Sequence, residues 1–214
     1  MWNAIRCTDT DYTPYFPQDG AQPHEADLAG SIANRGVGDA QSDTNIAADS
    51  ASGFVQPYAD SPLDGEPVGE NVYMGVVKAA SEYVYFTTPY LIISDEMSRE
   101  LCLAAKRGVD VRIITPGIPD KPLIYKVTRS YYAGLAAEGV RIYEYTPGFI
   151  HSKQMVCDDE VAVVGTINMD FRSLYLHFEN ACWIAKYRAV LAVRHDFETL
   201  FPVCREVTEK YRQK

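Results

Sequence analysis

Residues 149–180 carry most of the side chains in this sequence that could act on a phosphate ester. Read as a strand, residues 150–157 place His151 and Lys153 on one face, because successive side chains alternate. An imidazole can attack phosphorus and hold it as a phosphohistidine, while an ammonium stabilises the charge on the non-bridging oxygens. The spacing therefore predicts a nucleophile beside a fixed cation. The alternative is a polar strand face exposed to solvent.

A turn after the next strand adds further hydrogen-bonding groups. Residues 161–164 form a short apolar strand that ends at Gly165, and the turn after it contains Thr166 and Asn168. Together with Lys153, these two side chains are predicted to bind the oxygens of the phosphate. They could instead only stabilise the turn, and Asn168 is the better candidate for a functional role.

A carboxylate completes the predicted set. Residues 177–184 are predicted to form a third strand with His177 and Glu179 on one face. If the strands are neighbours, Glu179 can reach the imidazole of His151 and fix its tautomer, which leaves the attacking nitrogen unprotonated. His177 itself is expected to be structural. This chemistry requires no metal ion and no cofactor, and none of the usual His/Cys ligand spacings occurs in the sequence.

These residues form a recognisable motif. His151 and Lys153, with Asp158 after a gap of four residues, match HxKxxxxD, and residues 165–173 read Gly-Thr-Ile-Asn-Met-Asp-Phe-Arg-Ser. With the later Glu179, they resemble the active-site segment of the phospholipase D superfamily. From about residue 54 to the C-terminus, the chain is similar to the C-terminal half of bacterial cardiolipin synthases. The similarity extends to three other segments, residues 85–90, 112–117 and 143–149.

The resemblance implies both a fold and a reaction. The fold is an α/β, phospholipase D-like layered structure with a mixed β-sheet flanked by helices and one HKD half. The reaction is phosphatidyl transfer between two phosphatidylglycerol molecules, which gives cardiolipin and glycerol through a phosphohistidine. The implied catalytic residues are His151, Lys153, Asp158 and Glu179. Strand alternation puts Asp158 on the opposite face from His151, however, which favours a structural role for Asp158.

The resemblance also implies where such an enzyme acts. An anionic phospholipid, phosphatidylglycerol, would be the substrate, and the bacterial cell membrane would be the location, with the active site on its cytoplasmic side. No nucleic-acid partner is implied. The sequence has no signal peptide, and it has no apolar run near the roughly 20 residues that a membrane-spanning helix needs.

One feature departs from the cardiolipin synthase pattern. Those enzymes carry two HKD motifs in one chain that share an active site, whereas this sequence carries one. The chain is therefore interpreted as a C-terminal half that needs a second HKD half, either from a longer chain or from a second copy. Two alternatives stay open: a single-motif phosphodiesterase or nuclease that acts as a homodimer, and an inactive fragment.

The negative charge of the chain lies in its first part. The net charge of the 214 residues is −9, but residues 1–70 hold two basic and twelve acidic residues, whereas residues 71–214 hold 18 and 17. The acidic composition therefore does not exclude an anionic substrate at the site. Residues 1–53 are predicted to be a poorly ordered linker or remnant of a preceding half, and residues 54–214 to be the catalytic half.

Helix and strand patterns alternate through the second part. Ser94 is predicted to cap a helix that Gly108 ends. Such alternation favours a layered α/β fold with a parallel or mixed sheet. The predicted strands cover residues 54–58, 83–87, 109–115 and 140–145, and the predicted helices cover residues 71–82, 96–107, 121–138, 187–199 and 202–212. The five widely spaced cysteines are expected to be small core residues.

Overall fold

Helices and strands alternate through residues 53–212, the part of the chain that the computed structural model describes. The strands are β1 (Phe54–Asp60), β2 (Tyr83–Thr87), β3 (Leu91–Ile92), β4 (Asp110–Pro116), β5 (Arg141–Tyr145), β6 (Gln154–Cys157), β7 (Val161–Gly165), β8 (Met169–Asp170), β9 (Glu179–Ala185) and β10 (Cys204–Glu206). The helices are α1 (Val68–Ala79), α2 (Asp95–Lys106), α3 (Pro122–Ala137), α4 (Phe171–Tyr175), α5 (Arg188–Leu200) and α6 (Thr208–Arg212), with a 3-10 turn at Phe201–Val203. The predicted linker, residues 1–53, lies outside this part except for Gly53.

The main sheet is mixed, as the sequence predicts. Its eight strands follow the order β1-β9-β7-β6-β2-β4-β5-β10. The neighbours β2, β4 and β5 run parallel, and the remaining pairs are antiparallel. The short strands β3 and β8 form a separate parallel pair. Because β6 and β7 are central neighbours, the segments that carry the motif start from the rigid middle of the sheet.

Helices cover both faces of this sheet. On one face, side chains of α1, α2 and α3 pack against Val84, Phe86 and Ile113. On the other face, Val190 and Phe197 of α5 pack against the opposite side of the strands. All five residues of β2 are buried, as expected for a strand covered on both sides. The predicted arrangement of a mixed sheet flanked by helices is confirmed.

Local signals in the sequence correctly locate the ends of α2. The hydroxyl of Ser94 accepts a hydrogen bond from the backbone N–H of Met97, with an N to Oγ distance of 3.0 Å, so it caps the helix. Asp95 and Glu96 lie in the first turn, where carboxylates interact favourably with the helix dipole. Gly108 follows the helix with φ +95°, a left-handed conformation that glycine adopts without strain.

Four predicted elements differ from the structure, and the first of them is the helix predicted over residues 71–82, which spans Val68–Ala79. The strand predicted over residues 150–157 begins only at Gln154, because the register of β2 against β6 ends at the pair Thr87 and Gln154. The strand predicted from His177 begins at Glu179. The helix predicted over residues 202–212 is wrong in its first half, since Cys204–Glu206 instead forms β10 along the edge of β5. An unpaired sheet edge overrode the local helical pattern there.

Candidate active site

His151 lies in a loop immediately before β6 and is exposed to solvent. Its ring lies beside that of Phe149, with 5.7 Å between the ring centroids. Desolvation lowers the pKa of His151 below its ordinary 6.5, and the charge of Lys153 lowers it further; Lys121 acts in the same direction, whereas Asp120 opposes them. The imidazole is therefore neutral near neutral pH, which is the state that attack on phosphorus requires.

Two hydrogen bonds hold the loop that carries His151 and Lys153. The hydroxyl of Ser152 donates to Oγ1 of Thr87 at the end of β2, 2.9 Å away. The backbone N–H of Gly165 at the end of β7 donates to the carbonyl oxygen of Lys153, with an N to O distance of 3.2 Å. The loop is thus fixed to the ends of two neighbouring strands, although it is not itself a strand.

Lys153 is half-buried, and its ammonium Nζ donates to the main-chain carbonyl oxygen of His151, 2.6 Å away. Burial lowers the pKa of Lys153, while the negative charges of Glu179 and Asp170 act in the opposite direction. A partly desolvated ammonium gains more from an anionic ligand than a fully hydrated one does. Lys153 is therefore suited to bind a phosphate oxygen.

Glu179 is buried at the start of β9, next to the turn that follows β7. The hydroxyl of Thr166 donates to its Oε2, and the same hydroxyl accepts from the backbone N–H of Asn180 at 3.0 Å. Oε1 of Glu179 lies 3.5 Å from Nδ1 of His177. Within residues 53–212, the predicted hydrogen bond from Glu179 to His151 is not formed. Glu179 contacts Thr166 and His177 instead.

His177 lies between Glu179 and the guanidinium of Arg172. Nε of Arg172 donates to Nε2 of His177, 2.7 Å away. Because Arg172 is always a donor, Nε2 of His177 accepts, and a ring proton lies on Nδ1, which faces Glu179. His177 therefore connects the carboxylate to an arginine rather than standing alone as a structural histidine.

Asn168 lies in the turn between β7 and β8. Its Nδ2 donates to Oγ of Ser173 at 2.9 Å, whereas its Oδ1 is buried without a hydrogen-bond partner among the described residues. A hydroxyl can donate as well as accept, so a half-turn of the amide would give Oδ1 the Ser173 proton. The amide nitrogen would then take the buried position of Oδ1.

Asp158 lies apart from this cluster, and the catalytic role that the motif implied for it stays a prediction. It follows β6 at the end opposite to His151, in a turn with φ +50°. Its carboxylate accepts hydrogen bonds from the N–H and Oγ of Ser81 and from the N–H groups of Glu82 and Tyr83, at 2.7 to 3.0 Å. Burial raises the pKa of Asp158, but these hydrogen bonds outweigh it and the pKa is lowered. Asp158 therefore holds the turn before β2.

Two cavities meet at His151 and Asn168. The first cavity, of about 540 Å³, is lined by the predicted phosphate-binding groups, including Lys153, Thr166 and Glu179. The second cavity, of about 440 Å³, is lined in addition by Tyr90, Lys121, Phe171, Arg172 and His177. The structure therefore brings all the predicted site residues together around His151, with Asp158 as the exception.

The sequence matches a known protein family over most of this domain. A family profile described as "Cardiolipin synthase, PLD-like domain" matches residues 73–201, which is more than half of the chain. The chain belongs to this family.

Curated relatives match over part of their own length. A cardiolipin synthase from Halalkalibacterium halodurans is 37% identical over 145 residues, 68% of this chain and 29% of that protein. A cardiolipin synthase from a Geobacillus species is 40% identical over 127 residues, 59% of this chain and 25% of that protein. An uncharacterized protein of Streptococcus mutans is 50% identical over 164 residues, 77% of this chain and 36% of that protein. This cardiolipin synthase-like domain thus spans about a quarter to a third of these relatives.

Solved structures share the fold at low sequence identity. Nuc from Salmonella typhimurium, a phospholipase D family member, has a TM-score of 0.62 and 17% identity, with 72% of this chain and 97% of that chain covered. Phosphatidylserine synthase from Haemophilus influenzae has a TM-score of 0.59 and 16% identity, with 73% of this chain and 40% of that chain covered. The fold of this cardiolipin synthase-like domain is therefore that of the phospholipase D superfamily.

Sequence reasoning missed two residues beside the HKD segment, Tyr90 and Asp120. The hydroxyl of Tyr90 donates to Oδ2 of Asp120 at 2.6 Å. The two residues follow the carboxyl ends of the neighbouring parallel strands β2 and β4. That placement is the signal that could have found them, because ligand sites of α/β sheets lie at the carboxyl ends of parallel strands.

The described part of the chain, residues 53–212, contains no group of three or more His, Cys, Asp or Glu side chains that could hold a metal ion. None of the helices in the same part is long and apolar enough to span a membrane.

Proposed function

We propose that this chain is one half of a phosphatidyltransferase site that joins two phosphatidylglycerol molecules into cardiolipin and releases glycerol. The observation that carries the proposal is the neutral, exposed imidazole of His151 on the same cavity as the ammonium of Lys153. Membership of the cardiolipin synthase-like family supports the lipid substrate.

The reaction proceeds in two displacements at phosphorus. A ring nitrogen of His151 bonds to phosphorus as the bond from phosphorus to the glycerol oxygen breaks, and that oxygen takes a proton from an acid. A hydroxyl oxygen of a second phosphatidylglycerol then bonds to phosphorus, the phosphorus–nitrogen bond breaks, and the hydroxyl proton returns to the same group acting as a base. His151 is regenerated and cardiolipin leaves.

The other residues of the first cavity serve the phosphate. Lys153 and the rotated amide of Asn168 bind its non-bridging oxygens and stabilise the charge that develops during each displacement. Thr166 orients the carboxylate of Glu179 through its hydroxyl. In this proposal Glu179 orients imidazole rings at the site by accepting a hydrogen bond from a ring N–H. Among the described residues, the imidazole in contact with it is that of His177.

The leaving-group acid comes from a second HKD half. The sequence holds one HxKxxxxD motif, and the chain spans 25% to 36% of the relatives named above. In the proposal, residues 1–53 are the acidic segment that precedes the catalytic half, and the partner half lies in the same longer protein or in a second copy. The membrane surface is the place of action.

Apolar side chains near the second cavity favour a lipid over a nucleic acid. Phe171 lines this cavity and is 55% exposed, and Leu123, two residues beyond Lys121, is 72% exposed. Residues 71–214 carry 18 basic and 17 acidic side chains, without the excess of positive charge that nucleic-acid binding domains present.

A second candidate is a phosphodiesterase assembled from two copies of one HKD domain. The observation that favours it is the match to Nuc of Salmonella typhimurium, where 97% of that chain corresponds to this domain. One such domain therefore makes up almost a complete solved chain, and two copies of it could supply two histidines.

The test uses the purified chain with phosphatidylglycerol vesicles, beside the His151→Ala variant, and measures glycerol release and cardiolipin. We expect turnover that depends on His151, either with the chain alone or after addition of the N-terminal half of a related cardiolipin synthase. Cleavage of a generic phosphodiester without cardiolipin in either setting would refute the lipid proposal and favour the homodimeric phosphodiesterase.

A further inference from the structure

The second cavity offers its own positive charges, separate from Lys153. It shares His151 and Asn168 with the first cavity, so a group bound in either one reaches the same imidazole. Two cations line the second cavity, Lys121 and Arg172. Neither cation is one of the three motif residues His151, Lys153 and Asp158, although Arg172 lies in the segment 165–173 that follows them.

Lys121 is positioned by the pair of Tyr90 and Asp120. Its Nζ lies 5.5 Å from the centre of the Tyr90 ring and 4.0 Å from Oδ2 of Asp120. Asp120 in turn accepts the hydroxyl proton of Tyr90 at 2.6 Å. The Lys121 side chain is 62% exposed, so its ammonium keeps N–H donors for a ligand.

Arg172 enters the same cavity from the N-terminal turn of α4. It uses Nε to hold His177, and within residues 53–212 its guanidinium forms no ion pair with a carboxylate. Its terminal N–H groups therefore remain for a planar or tetrahedral anion. The apolar side chains of Ile92, Ile124 and Phe171 also line the cavity.

The carboxylates of Asp170 and Asp120 would repel an anion bound in this cavity, but each already accepts a hydrogen bond from a neighbouring group. Oδ1 of Asp170 accepts from the N–H of Ser173 at 2.8 Å and caps α4, and the residue is buried. Asp120 is bonded to Tyr90. Lys121 and Arg172, in contrast, are both exposed to solvent.

We propose that the second cavity binds the phosphodiester of the acceptor phosphatidylglycerol through Lys121 and Arg172, while the donor phosphate lies on Lys153. This inference rests on the proposed function. An enzyme whose acceptor is itself an anionic phosphodiester needs two anion sites beside the nucleophile, one for each phosphate. An enzyme that transfers the phosphatidyl group to water needs only the site for the donor phosphate. A cavity of about 440 Å³ has the size of an ordinary small-molecule site.

The bound product then places its two phosphates on opposite sides of His151. Its soluble headgroup, bis(glycerophospho)glycerol, carries both phosphodiesters without acyl chains, and glycerophosphoglycerol carries one. The wild-type chain should therefore bind the two-phosphate ligand about tenfold or more tightly than the one-phosphate ligand. Inorganic phosphate serves as the third ligand, because it supplies the charge without the glycerol.

The experiment is calorimetric titration of the wild-type chain, Lys121→Gln and Arg172→Gln with these three ligands. Each variant should lose about tenfold in affinity for bis(glycerophospho)glycerol and little for glycerophosphoglycerol. Lys126→Gln is the matched control, since it removes one charge from an exposed position of the same helix region without touching the cavity. Melting temperatures of all variants show whether each remains folded.

Several outcomes would overturn the inference. An equal loss of affinity for both diester ligands would assign Lys121 and Arg172 to the donor phosphate. No loss of affinity for either ligand would show that the two cations do not bind it. Equal binding of all three ligands by the wild type would leave only a general anion surface, and no binding of any of them would refute the anion site. Because the titration needs no turnover, it decides on the second cavity even where vesicles yield no cardiolipin and the proposed function fails.

Discussion

The ammonium of Lys153 donates a hydrogen bond to the main-chain carbonyl oxygen of His151, with Nζ and O 2.6 Å apart. The cation of the motif thus holds the backbone of His151, whose ring is the proposed nucleophile. An ammonium has further N–H donors beyond the one used in this bond. Lys153 can therefore fix the loop and bind a phosphate at the same time, which is a reason for the spacing of two residues between His151 and Lys153.

Replacing His151 by alanine should abolish phosphatidyl transfer and leave stability unchanged. The ring is exposed, so we expect a change in the free energy of unfolding within about 0.5 kcal/mol. The rate should fall by about a thousandfold or more if the ring is the nucleophile. Denaturant unfolding and a turnover assay measure the two quantities. His195→Ala, at a histidine whose side chain is 74% exposed on α5, is the control and should retain wild-type turnover.

The His151 imidazole should titrate below its ordinary pKa of 6.5. Desolvation and the charge of Lys153 both disfavour the protonated ring, so Lys153→Met should move the pKa upward. Titration of the imidazole NMR signals gives the values, with assignment from the spectrum of His151→Ala. Lys126→Met removes an exposed lysine on α3 and should leave the signal in place; an equal shift in both variants would contradict the local cause.

Asp158→Ala should destabilise the protein without a specific loss of activity. The substitution leaves the N–H groups of Ser81, Glu82 and Tyr83 without their acceptor, which costs about 2 to 3 kcal/mol. Denaturant unfolding measures this change, and activity is compared per folded molecule. Glu160→Ala, at an exposed residue of the same turn, should be near neutral. A dead but fully stable Asp158→Ala would return Asp158 to the catalytic set.

The stabilisation from Asp158 should also depend on pH. Because its folded-state pKa is lowered below the ordinary 3.8, the ionised form stabilises the fold above that value, and the contribution is lost as the pH falls through the folded-state pKa. The difference in unfolding free energy between the wild type and Asp158→Asn should therefore be constant near neutral pH and shrink below 3.8. Unfolding curves at a series of acidic pH values give this difference directly.

Gly165→Ala should disturb the site through the sheet. A Cβ at this position would clash with Cβ of Ala181 and with the carbonyl oxygen of Asn180 on β9. Since β7 and β9 would have to separate, we expect a loss of about 1 to 3 kcal/mol in unfolding free energy. Gly134→Ala is the control: it meets no atom within 4 Å on α3 and should stabilise the helix by about 0.5 to 1 kcal/mol. A neutral Gly165→Ala would show that the strands separate at little cost.

Residue types and spacing alone determined several features of this protein. The capping of α2 by Ser94 and its end at Gly108 depend on neighbouring residues, so the sequence predicts them directly. The buried strand Tyr83–Thr87 follows from its apolar composition. The motif of His151 and Lys153 likewise predicted the family. The phosphate chemistry that the motif implies stays a prediction.

Tertiary structure decided the features that depend on distant partners. Strand β6 begins only at Gln154, because Thr87 is the last residue of β2 and pairs with Gln154. His151 therefore lies in a loop. Asp158 holds donors from residues 81–83, which no local pattern connects to it. The contact of Tyr90 with Asp120 spans 30 positions of the sequence. Backbone pairing and hydrogen bonding between distant segments exist only once the sheet has formed, and they placed the second cavity beside His151.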